Sequence, residues 1–434
     1  MAKRNEIPIV EINSDAGKRF MHLIESARKK RDKEVNGAVS AVLEAVQKRG
    51  DEALFEFTEK FDRRKLDAST VRLQQEEIAE SAQSASPKLK EAIREAAKRI
   101  EQYHKEQGGK GFTITTDEST LSQVIKPLKR VGLYVPGGYT VYPSTVLMNV
   151  IPATIAGVQE VVAVTPPRDT LDPGIAYALH YLEVNEVYRI GGAQAIAALA
   201  YGTESIRAVD KIVGPGNSYV TEAKRMVYGS VDIDSVAGPS EVVVIADQSA
   251  DPTFVALDLL AQAEHGSGDE TAICITESKT VAENVARATL EEIGRSPAKE
   301  TLEKLPAHAI TIFLTSSRTE TIELSDSIAP EHLQIITENA HEDLKQINNA
   351  SAIFLGPHTP VAMGDYMAGT NHVLPTGGAA RYASPLGVDS FQKRISVAEM
   401  TPEGLKHVAP FLSVFARSEA FVHHALSVER RVGM

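Results

Sequence analysis

The chain is nearly without cysteine: a single thiol, Cys274, stands among 434 residues. One thiol excludes an internal disulfide, and its apolar setting in TAICITES predicts a buried strand position and a reducing cytoplasm. Excess positive charge is lacking too, because 58 acidic residues outweigh 46 basic ones and leave a formal charge of -12. Nucleic acid therefore finds no electrostatic foothold. The most basic stretch, ARKKRDK at 27–33, includes an acid and is read as a solvated helix face. The start, MAKRNEIPIVEINSD, has no long apolar core, so no signal peptide is expected. One charge-free run, 131–159, is long enough to cross a bilayer, but Pro136, Gly137, Gly138, Pro143 and Pro152 divide it into strand, loop and helix pieces. No membrane span is expected. No low-complexity tract or short repeat stands out.

What is there divides into two textures. From Glu34 to Gln107, apolar residues recur at three- and four-residue spacing between charges, which predicts a mainly helical N-terminal region over 1–110. From Val131 onward, β-rich runs such as EVVAVTPP, DKIVGPG, SEVVVIAD, TAICITE and SAIFLG alternate with helical ones. That alternation predicts an α/β fold with two doubly wound, incomplete Rossmann-like parallel sheets. The expected division is 111–130 plus 238–385 for a first α/β domain, 131–237 for a second, and 386–434 for a helical C-terminal tail. Ligands are expected at strand carboxyl ends, as in open α/β sheets.

Three glycine-rich loops follow strand-like runs: YVPGG at 134–138, IGGAQ at 190–194 and VGPGNSYV at 213–220. None is a G-x-G-x-x-G or a Walker loop, so tight turns explain each as well as a ligand does. Polar residues of the second half carry more. In AQAEHG, Gln262 and His265 are three apart at a helix end placed at Gly266, and share a face. Glu331 and His332 are adjacent in SIAPEHLQII, with Pro330 suited to a helix start, and are read as two chemical roles side by side. Asp365 and His372 lie in MGDYMAGTNHVLPTGG, and Glu419 and His424 lie in SEAFVHHALSVERR, where His423 competes with His424. Singly, each histidine is explained by a hydrogen bond. Together, Gln262, His265, Asp365 and His424 offer nitrogen and oxygen donors suited to zinc.

Seven stretches in order, RIGGAQAIAALAYGTESI, VDKIVGPGNSYVTEAKR, AGPSEVVVIAD, AQAEHG, APEHLQ, GDYMAGTNHVLPTGG and FQKRISV, resemble the histidinol dehydrogenase family. The resemblance runs from about Val35 to Arg430. It implies one zinc ion per subunit on Gln262, His265, Asp365 and His424, with Ser240, His332 and Glu419 contacting substrate beside those ligands and His372 close by. It implies Glu331 and His332 as the acid/base pair, and Tyr134, Gln194 and Asn217 at the nicotinamide cofactor. The implied assembly is a homodimer with shared sites, which would set Glu419 and His424 in the partner's site. The implied reaction oxidises L-histidinol through L-histidinal to L-histidine with two NAD. Alternatives are a zinc- and NAD-dependent dehydrogenase of another small polar alcohol, such as a sulfonated propanediol, a zinc hydrolase using Glu331 on bound water, and a binding protein without turnover. The sequence departs from the family pattern at DIDSV before AGPSEV, and at Tyr139 and Thr140.

Overall fold

Residues 6–29, 33–137, 141–265 and 269–434 are described by the computed structural model of the chain. Its strands are β1 (Ile9–Glu11), β2 (Phe112–Thr115), β3 (Ser119–Pro127), β4 (Arg130–Tyr134), β5 (Glu160–Thr165), β6 (Glu186–Arg189) and β7 (Lys211–Val213). They continue as β8 (Asp232–Ile233), β9 (Glu241–Ala246), β10 (Thr271–Thr276), β11 (Ile310–Leu314), β12 (His332–Ile336), β13 (Ala352–Leu355) and β14 (Gln392–Met400). Two parallel sheets result, ordered β6-β5-β4-β7-β8 and β1-β11-β10-β9-β12-β13. The doubly wound α/β class read from the sequence is the observed one. Strands β9 and β10 are buried at every position, which is why they read as continuous apolar runs rather than alternating ones.

The charge-free run 131–159 supplies most of β4 and the buried helix Pro143–Ala156; Pro143 starts that helix as expected, but Pro152 lies inside it and divides nothing, and Gly138 falls outside the described residues. No helix among the described residues is long and apolar enough to cross a membrane. The N-terminal region holds the helices Asp15–Lys29, Lys33–Arg49, Asp51–Asp62, Gln75–Gln83 and Pro87–Lys105. It is not wholly helical, because β1 adds an edge strand to the second sheet beside β11.

Three expectations about segments change. Residues 111–130 add no strand to the β9 sheet: β3 pairs antiparallel with β2 on one side and with β14 on the other in a separate three-stranded sheet, and Arg130 opens β4. The tail is correspondingly not helical throughout, since it opens with the nine-residue β14 before the helices Pro402–Ser418 and Val422–Val432. The period-two placement of Ile395 and Val397 in FQKRISV was the strand signal. Pro330 starts no helix. The preceding helix Arg318–Ile328 is stopped by Ala329 at φ 50, and His332 opens β12 between β9 and β13.

Candidate active site

The first residues of β9 and β12, Glu241 and His332, come together where the winding of the second sheet reverses. The main chain of Glu241 holds both candidate acid/base side chains. Its N–H donates to Glu331 Oε2 at 2.9 Å, and its C=O accepts from His332 Nδ1 at 3.1 Å. Because a carbonyl only accepts, His332 carries its proton on Nδ1 and leaves the Nε2 lone pair free. Nε2 points toward Asp365, whose Oδ1 is 3.9 Å away. The two residues face one edge because Glu331 precedes the strand and His332 begins it. Burial drives both toward neutrality. It holds the Glu331 carboxyl well above the usual range, helped by the Glu241 and Asp365 carboxyls and opposed by the Glu241 N–H. It lowers the His332 imidazole to about 4.

Asp365 sits on a single helical turn, Ala362–Tyr366, instead of the irregular loop expected from its glycine and proline content. Gly364 permits that placement: a Cβ there would lie 2.5 Å from the ring of Phe354, the same ring that stacks on His332. The segment is fastened from below by Asp258, a buried residue the sequence reading missed. Its carboxylate accepts from Val361 N–H and from Gln334, and burial pushes it up to about 6. An isolated acid in the apolar helix FVALDLLAQA was the available signal. That helix, Pro252–Ala263, ends with Gln262 in its last turn. His265 lies just beyond it, and the expected end at Gly266 falls outside the described residues.

His265 Nδ1 donates to the Gln262 carbonyl at 2.9 Å, and His372 Nδ1 donates to the Asp365 carbonyl at 3.1 Å. The Gln262 amide nitrogen is also 3.4 Å from His265 Nδ1, but the shorter bond to the carbonyl fixes the tautomer. His265, His332 and His372 thus share one arrangement: a backbone carbonyl takes Nδ1–H, and Nε2 stays free for a proton or a cation. Burial lowers His372 to about 4, and it raises Asp365 against the opposing influence of His265. Neutral imidazoles beside a half-buried carboxyl are the donor chemistry a zinc ion requires. From one chain the set is incomplete. Among the described residues, no group of three or more His, Cys, Asp or Glu side chains is arranged to hold a metal ion.

Glu419 and His424 do not join this cluster. Both are exposed, Glu419 at the end of the helix Pro402–Ser418 and His424 in Val422–Val432, with His424 against Phe421. Ser240, half-buried, immediately precedes Glu241, and its carbonyl accepts from Thr271 N–H.

The first parallel sheet gathers the described residues of the three glycine-rich loops at its carboxyl end; Gly138 lies outside them, as do Tyr139 and Thr140. Tyr134 closes β4, and its hydroxyl accepts from Gly192 N–H at 3.1 Å. Gln194, in the first turn of the helix Gly192–Tyr201, donates to Asp62 at 3.2 Å. Both side chains are turned inward, 3% and 1% exposed, so they shape the loops rather than line them. Asn217 is exposed and caps the helix Ser218–Val227 by accepting from the Tyr219 and Val220 amides. Between these positions lies Gly214 at φ 107, where a Cβ would overlap the Tyr134 carbonyl. A buried ion pair, Lys224 with Asp234, grips it on both sides: Lys224 Nζ donates to its C=O at 2.9 Å and Asp234 accepts from its N–H at 2.8 Å.

A buried carboxyl–imidazole pair on one doubly wound sheet, beside a second sheet with glycine-containing loops, is the arrangement of an α/β enzyme with a candidate acid/base site. The family model for histidinol dehydrogenase matches residues 25–432. A histidinol dehydrogenase of Bacillus thuringiensis is 45% identical over 403 residues, 92% of this chain and 93% of that protein. One from Methanothermobacter thermautotrophicus is 43% identical over 418 residues, 96% and 97% of the two chains. The crystal structure of histidinol dehydrogenase from Elizabethkingia anophelis superposes with a TM-score of 0.91 at 34% identity, covering 98% of each chain. The chain belongs to the histidinol dehydrogenase family and is an oxidoreductase.

Proposed function

We propose that this chain oxidises L-histidinol through L-histidinal to L-histidine, passing a hydride to NAD at each step. The observation that carries the reading is the joint hold of Glu241 on Glu331 and His332, which leaves His332 Nε2 free beside Asp365. In the first oxidation His332 Nε2 takes the hydroxyl proton as the hydride leaves the carbinol carbon. Water then adds to the aldehyde, its proton passing to Glu331 in its carboxylate form, the form that the Glu241 N–H favours against burial, and the second hydride leaves the resulting hydrate. Burial of Glu331 and His332 keeps bulk water from competing for these protons.

Gln262, His265 and Asp365 would hold a zinc ion, whose fixed positive charge would orient the substrate imidazole and amine. His424 and Glu419 would complete the site from a second copy of the chain, and Ser240 and His372 would line it. The support is their exposure on a hairpin that also leaves Phe411, Val414 and Phe415 about 70% exposed, at 70%, 72% and 69%. Three large apolar side chains exposed on one face of a helix are what a docking surface presents. NAD would lie across the loops at Tyr134, Gln194 and Asn217, and the first α/β domain with its acid/base pair would face it. A cytoplasmic setting agrees with the lone, buried thiol Cys274.

The test is NADH formation by zinc-loaded protein on L-histidinol, counted per molecule consumed, with a sulfonated propanediol as control. Two NADH per histidinol, lost on chelation and restored by zinc, is the expected result. Turnover of the control alone would move the substrate and keep the machinery; turnover of neither would remove the acid/base assignment.

A further inference from the structure

Resting on that reading, the structure points to a residue that orients the acid/base pair without touching substrate. The basic stretch 27–33 is not simply a solvated helix face. The Arg28 side chain is only 11% exposed, and its Nε donates to Glu241 Oε1 at 2.7 Å, where Glu241 is 4% exposed. Its Nη1 donates to the Ile328 carbonyl at 2.9 Å. Ile328 ends the helix that leads through Pro330 into Glu331. One guanidinium therefore fastens both segments that meet at the site: the start of β9, which carries the Glu241 peptide, and the helix end that delivers Glu331 and His332.

The Glu241 side chain is held by this guanidinium through Oε1. Its backbone then does the orienting, with N–H on Glu331 and C=O on His332 Nδ1. A shift of the Glu241 peptide would loosen two hydrogen bonds at once. It would also free His332 to exchange tautomers, since the carbonyl is what keeps the proton on Nδ1.

We propose that Arg28 is a positioning residue for the reaction, bridging Glu241 and Ile328 so that the Glu241 peptide fixes the tautomer of His332 and the aim of Glu331. The requirement is for a fork rather than a charge. Two acceptors on different segments need two N–H vectors in a fixed plane, and a lysine ammonium is a single flexible point.

The test uses full-length protein with Arg28→Lys and Arg28→Ala, reading kcat, KM for both substrates, the melting temperature, and the imidazole nitrogen resonances of His332 in 15N-histidine-labelled protein. The expected result for folded Arg28→Lys is a kcat lowered roughly tenfold to a hundredfold with KM for NAD unchanged. The His332 resonances should shift from a single Nδ1–H form toward a tautomer mixture. Glu241→Gln should lower kcat similarly, and adding it to Arg28→Lys should cost little more, because both changes break one linkage.

A role in folding alone would lower the melting temperature while kcat per folded molecule and the His332 resonances stayed as in the wild type. That result would overturn the proposal. If Arg28→Ala does not fold, Arg28→Lys decides. A wild-type protein silent on histidinol would sink the proposed reaction, and the nitrogen resonances would still decide whether Arg28 sets the tautomer.

Discussion

The two parallel sheets share a winding order and use opposite ends of it. Without the edge strand β1, β11-β10-β9-β12-β13 repeats the pattern of β6-β5-β4-β7-β8: three strands wound one way, then two wound the other from the same starting strand. In the β4 sheet the loops of interest lie at carboxyl ends, where Tyr134 closes β4 and Gly214 follows β7. In the β9 sheet the acid/base pair lies at amino ends, because His332 opens β12 beside the start of β9. On the proposed function, the rule that ligands sit at strand carboxyl ends would hold for one sheet and not the other. Topology brings the two strands of each switch point together; it leaves both ends of the pair open. At an amino end the first N–H of a strand can bond a side chain, and Glu241 uses it to bind Glu331.

The sharpest way to break this contrast is at the amino end. His332→Ala should lower turnover by roughly 10² to 10⁴-fold, as loss of a general base does, and leave KM for NAD near the wild-type value. Glu331→Gln should slow oxidation of supplied histidinal more than oxidation of histidinol. Equal, mild effects of both changes in steady-state assays would remove the amino end from the chemistry.

A smaller effect of opposite type is expected at the carboxyl end. Asp234→Asn keeps an acceptor for the Gly214 N–H but ends the ion pair with Lys224. The loop between Tyr134 and Asn217 should relax, raising KM for NAD roughly tenfold while kcat at saturating NAD changes little. A fall in kcat with unchanged KM would mean that the two ends do not divide cofactor from acid/base work.

Much of this was legible in the sequence. The alternation of β-rich and helical runs contained the two sheets, and Pro143 marked a helix start in the charge-free run 131–159, whereas Pro152 stands inside that helix without breaking it. Of the donor set read from the residues, Gln262, His265 and Asp365 come together while His424 does not; Glu331, His332 and His372 were placed beside them only by the family resemblance. What was not legible depends on long-range pairing. Nothing local in FQKRISVAEM says that β14 pairs with β3, whose partner residues lie far back in the chain. Arg28 looked solvated because its neighbours are basic, and its partner Glu241 is distant in sequence. The end of the sheet that carries the chemistry was hidden for the same reason, since a backbone hydrogen bond from Glu241 leaves no mark on side-chain spacing.

A weaker effect, on stability rather than turnover, is expected at Asp258, beneath the segment that carries Asp365. The Asp258 carboxyl is raised from 3.8 to about 6 by burial, so between those values the folded state holds a proton that the unfolded chain has released. Stability from this group is therefore fully present below about pH 4 and declines as pH rises toward 6, by at most roughly 3 kcal/mol. Asp258→Asn cannot ionise and keeps an acceptor for Val361 N–H. Its unfolding free energy, measured by urea titration across pH 4 to 7, should lack that component of the decline, with turnover within about twofold of wild type. Parallel pH profiles for the two proteins would show that Asp258 is not buried as a charge.

The smallest effect is expected at Cys274, which lies in β10 between the two ends of its sheet. An aldehyde oxidation can run through a thiohemiacetal, and this chain has one thiol with which to do it. That thiol is 0% exposed, and burial pushes it up to about 12, so neither access nor thiolate is available at neutral pH. Its neighbours in the core are Val244 and Ile312, paired with it across the sheet, and neither carries a base. Cys274→Ala should therefore leave both half-reactions within about twofold of wild type, with only a modest loss of stability from the lost sulfur contacts. If the folded variant loses histidinal oxidation by orders of magnitude while histidinol oxidation survives, water activated by Glu331 is not the route from aldehyde to acid. The chemistry would then belong to the middle of the sheet, and the contrast between its two ends would fall with it.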